Sequence, residues 1–309
     1  MGEDAREGRE RDETGGVSRR KFLESTATAG GAAALVAAVN SSCATAQEGR
    51  PQPTPAPTPQ GDAAAQGPSP AAAAETLRGK MVEYKSGDLT IPAYLSMPLT
   101  RRVAPGSVLV IHEVFGLNDH IKAVADRVSK AGYVALAPDF FVRAPAPPPK
   151  AASDVEALRK AASSIPPEAA VRDMQAGLEY LRGVGGARAR FISVGFCMGG
   201  GFSYRLAASG AKDLAGAVIF YGRMPPELVP QISVPLLGNF GANDTGIPPA
   251  TVKEIEDALK KAGKKADFKI YEGAGHGFYN DTRPTAYNAA AAADAWQRTL
   301  DFFREQLGS

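Results

Sequence analysis

Seven residues, Gly195-Phe196-Cys197-Met198-Gly199-Gly200-Gly201, restrict this chain more than any other stretch. They follow the apolar run Phe191-Ile192-Ser193-Val194, which reads as a buried strand, and precede Phe202 to Ala208, which reads as a helix. A turn of the form G-x-nucleophile-x-G between strand and helix holds one side chain exposed on a strained backbone. The glycines let strand and helix approach closely, and the free N–H groups at the helix start favour a thiolate at Cys197. A glycine-rich turn around a packed, inert cysteine fits the same seven residues, so the rest of the chain has to decide between them.

The segments on either side supply the sheet that such a turn needs. Met81 to Ser86 and Ile91 to Met97 read as an antiparallel edge around Gly87-Asp88. Ser107 to Ile111 and Tyr133 to Ala137 are short continuous apolar runs of the kind buried on both faces of a parallel sheet. Between them a helix starts at an Asn118 or Asp119 cap, carries Ile121, Val124, Ala125 and Val128 on one face, and stops at Gly132. Phe140 to Pro149 is a Pro-rich irregular loop holding Arg143. Helices are expected from about Ala151 to Ser163 and from Pro167 to Arg182. After the turn come strands at Ala215 to Tyr221, Val234 to Gly241 and Phe268 to Tyr271. A helix at Pro249 to Ala262 and a closing helix at Thr285 to Gln306 complete the pattern. This alternation specifies an α/β fold with a doubly wound, mostly parallel sheet and helices on both faces.

Ligands of such sheets bind at the carboxyl ends of the strands. Glu113, Arg143, Cys197, Asp244 and His276 all fall just beyond a strand end, although they are far apart in sequence. Cys197, Asp244 and His276 also follow the order nucleophile, acid, histidine that is typical of the α/β-hydrolase fold. Singly, Asp244 could cap the helix that follows Pro248, and His276 could be a turn residue between Gly275 and Gly277. Together they form a constellation. His276 would take the thiol proton or hold the thiol as a thiolate pair, then donate a proton to a leaving oxygen. Asp244 would fix the tautomer of His276 and stabilise its charged form, and the backbone N–H groups of Met198 and Val114 would face an oxyanion.

The amino terminus has a different character. Ser18-Arg19-Arg20-Lys21-Phe22-Leu23, a weakly apolar stretch from Ala27 to Val39, and Ala44-Thr45-Ala46 are ordered like an export signal of the twin-arginine type over residues 1–46. The apolar stretch is too short for a stable membrane span, and Asn40 disfavours lipid attachment at Cys43. Residues 47–75, rich in Pro, Ala, Gln and Gly, read as a disordered spacer, and 76–309 as one domain. The expected partner during targeting is the twin-arginine export machinery, and the expected location is periplasmic or extracellular. Cleavage after Ala46 would leave Cys197 as the only cysteine of the two in the chain, in a compartment where thiols are oxidised. An unpaired thiol placed on such a turn points to chemistry.

With these residues identified, the chain resembles the dienelactone hydrolase, or carboxymethylenebutenolidase, family over residues 77–307. The resemblance rests on His112-Glu113-Val114-Phe115-Gly116-Leu117-Asn118, Pro138-Asp139-Phe140-Phe141-Val142-Arg143, the cysteine turn, the Asp244 loop and Gly275-His276-Gly277-Phe278. It implies an α/β-hydrolase fold and a cofactor-independent hydrolase of small lactones or esters, working through an acyl-cysteine. It also implies that Glu113 contacts the nucleophile and helps generate the thiolate, and that Arg143 binds a substrate carboxylate and pairs with that glutamate. The chain departs from the family where a second substrate-binding arginine is carried, four residues after the histidine. That position is Asn280, with Arg283 nearby. The natural substrate is therefore expected either to lack the dienelactone's carboxylate or to bind it differently.

Other functions receive less support. A formal charge of +2 without basic runs gives no footprint for nucleic acid. His112 and His120 show no metal-ligand spacing; the first is expected to be a hydrogen-bonded strand-end residue and the second a residue of a helix's first turn. Tyr84, Tyr204, Phe115, Phe278 and Trp296 are expected in the core or pocket wall. A glutamine amidotransferase shares the G-x-C-x-G turn but usually has a glutamate where Phe278 stands. A thioesterase or general carboxylesterase of the same fold remains an alternative, as does an exported binding protein without turnover. No cofactor or metal is expected, and the protein is expected to be a monomer.

Overall fold

The computed structural model describes residues 78–99, 104–144 and 154–308. The segments read as an export signal and a spacer, residues 1–46 and 47–75, and Cys43 lie outside the described residues. Among the described residues, eight strands form one sheet: β1 (Lys80–Ser86), β2 (Leu89–Ser96), β3 (Ser107–Ile111), β4 (Val134–Pro138), β5 (Phe191–Phe196), β6 (Leu214–Phe220), β7 (Leu236–Gly241) and β8 (Ala266–Tyr271). Their order is β1-β2-β4-β3-β5-β6-β7-β8. The β1–β2 and β2–β4 pairs are antiparallel and all others parallel, so the expected edge hairpin and parallel centre are both present.

Among the described residues, six α-helices cover the sheet: α1 (Asp119–Lys130), α2 (Val155–Ser163), α3 (Pro167–Val184), α4 (Met198–Ala208), α5 (Pro249–Lys261) and α6 (Ala289–Leu307). Strand side chains alternate between its two faces. On β3, Val108 and Val110 pack with Ile121, Val124 and Val128 of α1 and with Phe302 and Phe303 of α6. Leu109 and Ile111 point the other way, to Met174, Leu178 and Leu181 of α3 and Leu206 of α4. A third cluster joins Tyr204 and Ala207 to Val252, Ile255 and Leu259 of α5 over β6 and β7. Burial on both faces explains why the central strands read as unbroken apolar runs.

Helix starts follow local capping. Asn118 accepts a hydrogen bond from the Ile121 N–H and starts α1, as the sequence suggests. The closing helix starts later than the pattern from Thr285 implies, because the Asn288 side chain accepts from the Ala291 N–H and fixes the start there. Phe140–Arg143, expected to be irregular, is a 3₁₀ turn opened by Asp139, whose carboxylate accepts from the Phe141 N–H.

Candidate active site

The turn between β5 and α4 has the geometry its glycines imply. Cys197 lies at φ 55°, ψ −114°, a region that side chains rarely occupy. A Cβ at Gly195 would collide with the Gly199 carbonyl, so strand and helix can meet at this distance only without a side chain there. The thiol is half-buried and opens into a cleft of about 970 Å³. Met198, Val114, Tyr221, Asp244 and His276 also line that cleft. Met198 is the first residue of α4, where a backbone N–H has no intrahelical acceptor.

Two loops bring the acid and the histidine to the thiol. After β7, the Asp244 carboxylate is buried and receives the Gly246 and Ile247 N–H groups on Oδ1, at 2.9 and 3.0 Å. Its Oδ2 lies 2.7 Å from Nδ1 of His276, in the loop after β8. Asp244 therefore organises its own turn, the helix-capping alternative, and also orients the histidine. Burial alone would raise the Asp244 carboxyl, but the bond and charge of His276 and the two backbone donors hold it below the usual carboxylate range. Burial likewise pulls His276 down, and its hydrogen bonds to Asp244 and Cys197 override this and raise it to about 10. The His276 side chain keeps 40% of its surface exposed at the mouth of the cleft.

Glu113 occupies a buried position behind this line. Its Oε1 receives the hydroxyl of Tyr221 at 3.2 Å, and its Oε2 receives the Asn280 amide at 2.5 Å. Burial first, then the nearby Glu113 and Cys197, push the Tyr221 phenol well above its ordinary value, so it stays a donor. The Asn280 amide oxygen in turn accepts from the Thr282 N–H and hydroxyl. The Glu113 backbone is fixed as well: His112 Nδ1 lies 2.6 Å from the Glu113 carbonyl, while its Nε2 receives the Phe140 N–H at 3.1 Å. That pattern requires a neutral ring with its proton on Nδ1. Burial, the largest influence on His112, lowers it from its ordinary value.

Helix α1 anchors the loop that carries Asn280. The next residue, Asp281, is buried, with one oxygen 2.9 Å from His120 Nδ1 and the other receiving Arg127 at 2.6 Å. Burial opposes ionisation of Asp281, but His120 and Arg127 together hold it down to about 2. His120 is thus a first-turn residue, as expected, whose side chain reaches the site's outer support.

One expected site residue lies elsewhere. Arg143 does not reach Glu113: its guanidinium makes a two-pronged pair with the fully buried Asp173 of α3, at 2.7 and 2.6 Å. It lines a separate cavity beside the β1–β2 turn, together with Lys85 and Arg172. The reason is electrostatic. A carboxylate with no exposure needs a cation, and Arg143 is the one that α3 holds within reach. Arg283 is not a replacement either, since it stacks over the Phe115 ring with its guanidinium carbon 4.7 Å from the centroid. Conversely, Tyr221, Arg159, Arg205 and Arg223 all line the Cys197 cleft although no sequence motif marks them. Tyr221 was visible only as the last residue of a strand, one position before Gly222. Gly201 and Arg205 share a face of α4 by their four-residue spacing, which is the one signal that could have marked Arg205.

Among the described residues, no cluster of His, Cys, Asp or Glu could hold a metal ion, and no helix is long and apolar enough to cross a membrane. Tyr204 and Phe278 are fully buried, Tyr84 nearly so, and Phe115 and Trp296 pack at the edges of the core.

A mostly parallel eight-stranded sheet, with a strained cysteine at the β5–α4 turn and an Asp–His pair on the next loops, defines an α/β-hydrolase. The profile of the dienelactone hydrolase family matches residues 91–307. A candidate carboxymethylenebutenolidase of Methylorubrum extorquens is 36% identical, covering 71% of this chain and 78% of its own. Another, from Saccharolobus solfataricus, is 32% identical over 73% of this chain and 98% of its own. The crystal structure of a candidate dienelactone hydrolase from Klebsiella pneumoniae superposes with a TM-score of 0.69 at 28% identity, covering 75% of this chain and all of that one. The chain belongs to the dienelactone hydrolase family and is a hydrolase.

Proposed function

We propose that the protein hydrolyses small lactones or carboxylic esters through an acyl intermediate on Cys197, without a cofactor. The observation that carries this reading is the His276 ring, which bonds the buried Asp244 carboxylate through Nδ1 and lines the same cleft as the Cys197 thiol. The proton of Sγ passes to His276, and the sulfur attacks the carbonyl carbon. The developing oxyanion is received by the N–H groups of Met198 and Val114. The C–O bond breaks, and the imidazolium returns its proton to the leaving oxygen. His276 then takes a proton from water, the resulting hydroxide attacks the thioester, and the acid leaves with Cys197 restored. Asp244 keeps the ring in the tautomer this requires and stabilises its charged form. Glu113, held by Tyr221 beside the thiol and by Asn280, supports formation of the thiolate.

The test is hydrolysis of p-nitrophenyl acetate and of a dienelactone by the wild-type protein and by Cys197→Ala. A loss of roughly 1,000-fold or more is expected for the variant, as when a unit-acting nucleophile is removed. Equal rates would overturn the reading. Intact-mass measurement during turnover should show an acyl adduct in the wild type alone.

A further inference from the structure

The cleft that holds Cys197 is larger than a small lactone needs, and its charge is one-sided. At about 970 Å³ it lies at the upper end of small-molecule sites. Three arginines, Arg159, Arg205 and Arg223, line it. None of the three is engaged in a hydrogen bond or ion pair among the described residues. Among the described residues, the one carboxylate in the lining, Asp244, is already taken by His276 and two backbone donors.

Their placement has a direction. Met198, Gly201, Phe202 and Arg205 line the cleft from one face of α4, so Arg205 stands two turns, ~10 Å of rise, beyond the first residue after the thiol. The Arg223 backbone packs against Gly201, one turn from Cys197: a Cβ there would lie 3.2 Å from the Arg223 carbonyl oxygen. Arg159 comes from another element, α2, which also presents Ala162 and Ser163 to the cleft. The lining of the same cleft also includes the apolar side chains of Ala162, Ile165, Phe202 and Ile247.

We propose that this wall is a subsite for the distal anionic group of an extended acyl substrate. The scissile ester lies at Cys197, an apolar chain crosses the cleft, and a terminal carboxylate or phosphate is received by Arg159, Arg205 and Arg223. The inference rests on the acyl-cysteine reading for its chemistry, and it names the substrate class of that site. Neither Arg143, engaged by Asp173, nor Asn280, engaged by Glu113, lines this cleft, so anion recognition there needs neither of them.

The experiment compares p-nitrophenyl esters of an eight-carbon acid that end in a carboxylate, in a phosphate, or in the neutral methyl ester of the carboxylate. For the wild-type protein, kcat/KM should be about tenfold or more higher for at least one anionic ester than for the neutral one, as charge-assisted bonds of this strength imply. The larger ratio identifies the anion. Arg205→Gln and Arg223→Gln should each remove most of that preference, lowering kcat/KM for the anionic ester several-fold more than for the neutral one, and added salt should narrow it. Equal rates for anionic and neutral esters, or an equal loss on all three in the arginine variants, would overturn the proposal. Failure of the acyl-cysteine reading registers separately, as neutral-ester turnover that does not depend on Cys197. Calorimetric binding of suberate and its dimethyl ester to Cys197→Ala reads the arginine wall without turnover; equal affinities there would also overturn it.

Discussion

The side-chain amide of Asn280 donates to the Glu113 carboxylate at 2.5 Å, across 167 positions of sequence. The buried carboxylate is satisfied by hydrogen bonds from the neutral Asn280 amide and the Tyr221 hydroxyl, without a formal counter-charge. Removing either donor leaves one carboxylate oxygen buried and unpaired. Tyr221→Phe and Asn280→Ala are each expected to lower stability by about 1–3 kcal/mol. Urea unfolding reads this as a fall in midpoint at constant slope; an unchanged midpoint in both variants would show that water replaces the lost donors.

Arg143 gives the opposite kind of prediction. Its partner Asp173 has no exposure, so Arg143→Gln strands a buried charge and should cost about 3 kcal/mol or more. At a temperature where the variant remains folded, kcat/KM on neutral and anionic esters should match the wild type. A selective rise in KM for anionic esters would return Arg143 to a substrate-binding role.

The Asp244–His276 pair makes stability depend on pH in a defined direction. His276 is raised from its ordinary 6.5 to about 10 in the folded protein, so its contribution is complete below pH 6.5, declines above it and is gone above about pH 10. Asp244 is lowered, so its contribution is present above the ordinary carboxylate range and is lost as pH falls through its folded value. The stability gap between wild type and His276→Gln should therefore narrow steadily between pH 6.5 and 10. Denaturant titrations across that range test it, and a gap that widens with pH would contradict the assignment.

The paired arginines at the amino terminus lead to a prediction about location. We propose export by the twin-arginine route, so replacing both Arg19 and Arg20 by lysine should retain the protein in the cytoplasm of the producing cell. Fractionation with a periplasmic marker reads the result, and unaltered localisation would remove the proposal.

How much of this was legible in the sequence depended on whether the deciding interaction is local. The central strands announce themselves because burial on both faces forces continuous apolar runs such as Val108 to Ile111. The Asn118 cap and the Gly195 close approach are equally local. Cys197, Asp244 and His276 could be found because strand order carries each to the same edge of the sheet. What stayed hidden are partners chosen in three dimensions. Asp173 looks like any polar residue of a helix until it is seen to have no exposure, and only then is Arg143 drawn to it and away from Glu113. Tyr221 carries no motif, and its role depends on a carboxylate 108 positions earlier. Asn280 was recognisable as a departure from a pattern, but what it touches was not.

The backbone of Cys197, at φ 55°, has a consequence for how this protein would respond to selection. A side chain held in such a region costs on the order of 1–3 kcal/mol, more than the roughly 0.5–1 kcal/mol by which glycine's freedom in the unfolded chain penalises folding. Glycine is thus the residue that folding alone would choose at position 197. Lineages screened only for survival at high temperature should drift toward Cys197→Gly and gain heat resistance as turnover disappears. A library in which heat resistance and ester hydrolysis are scored together would have to gather its stability elsewhere in the chain.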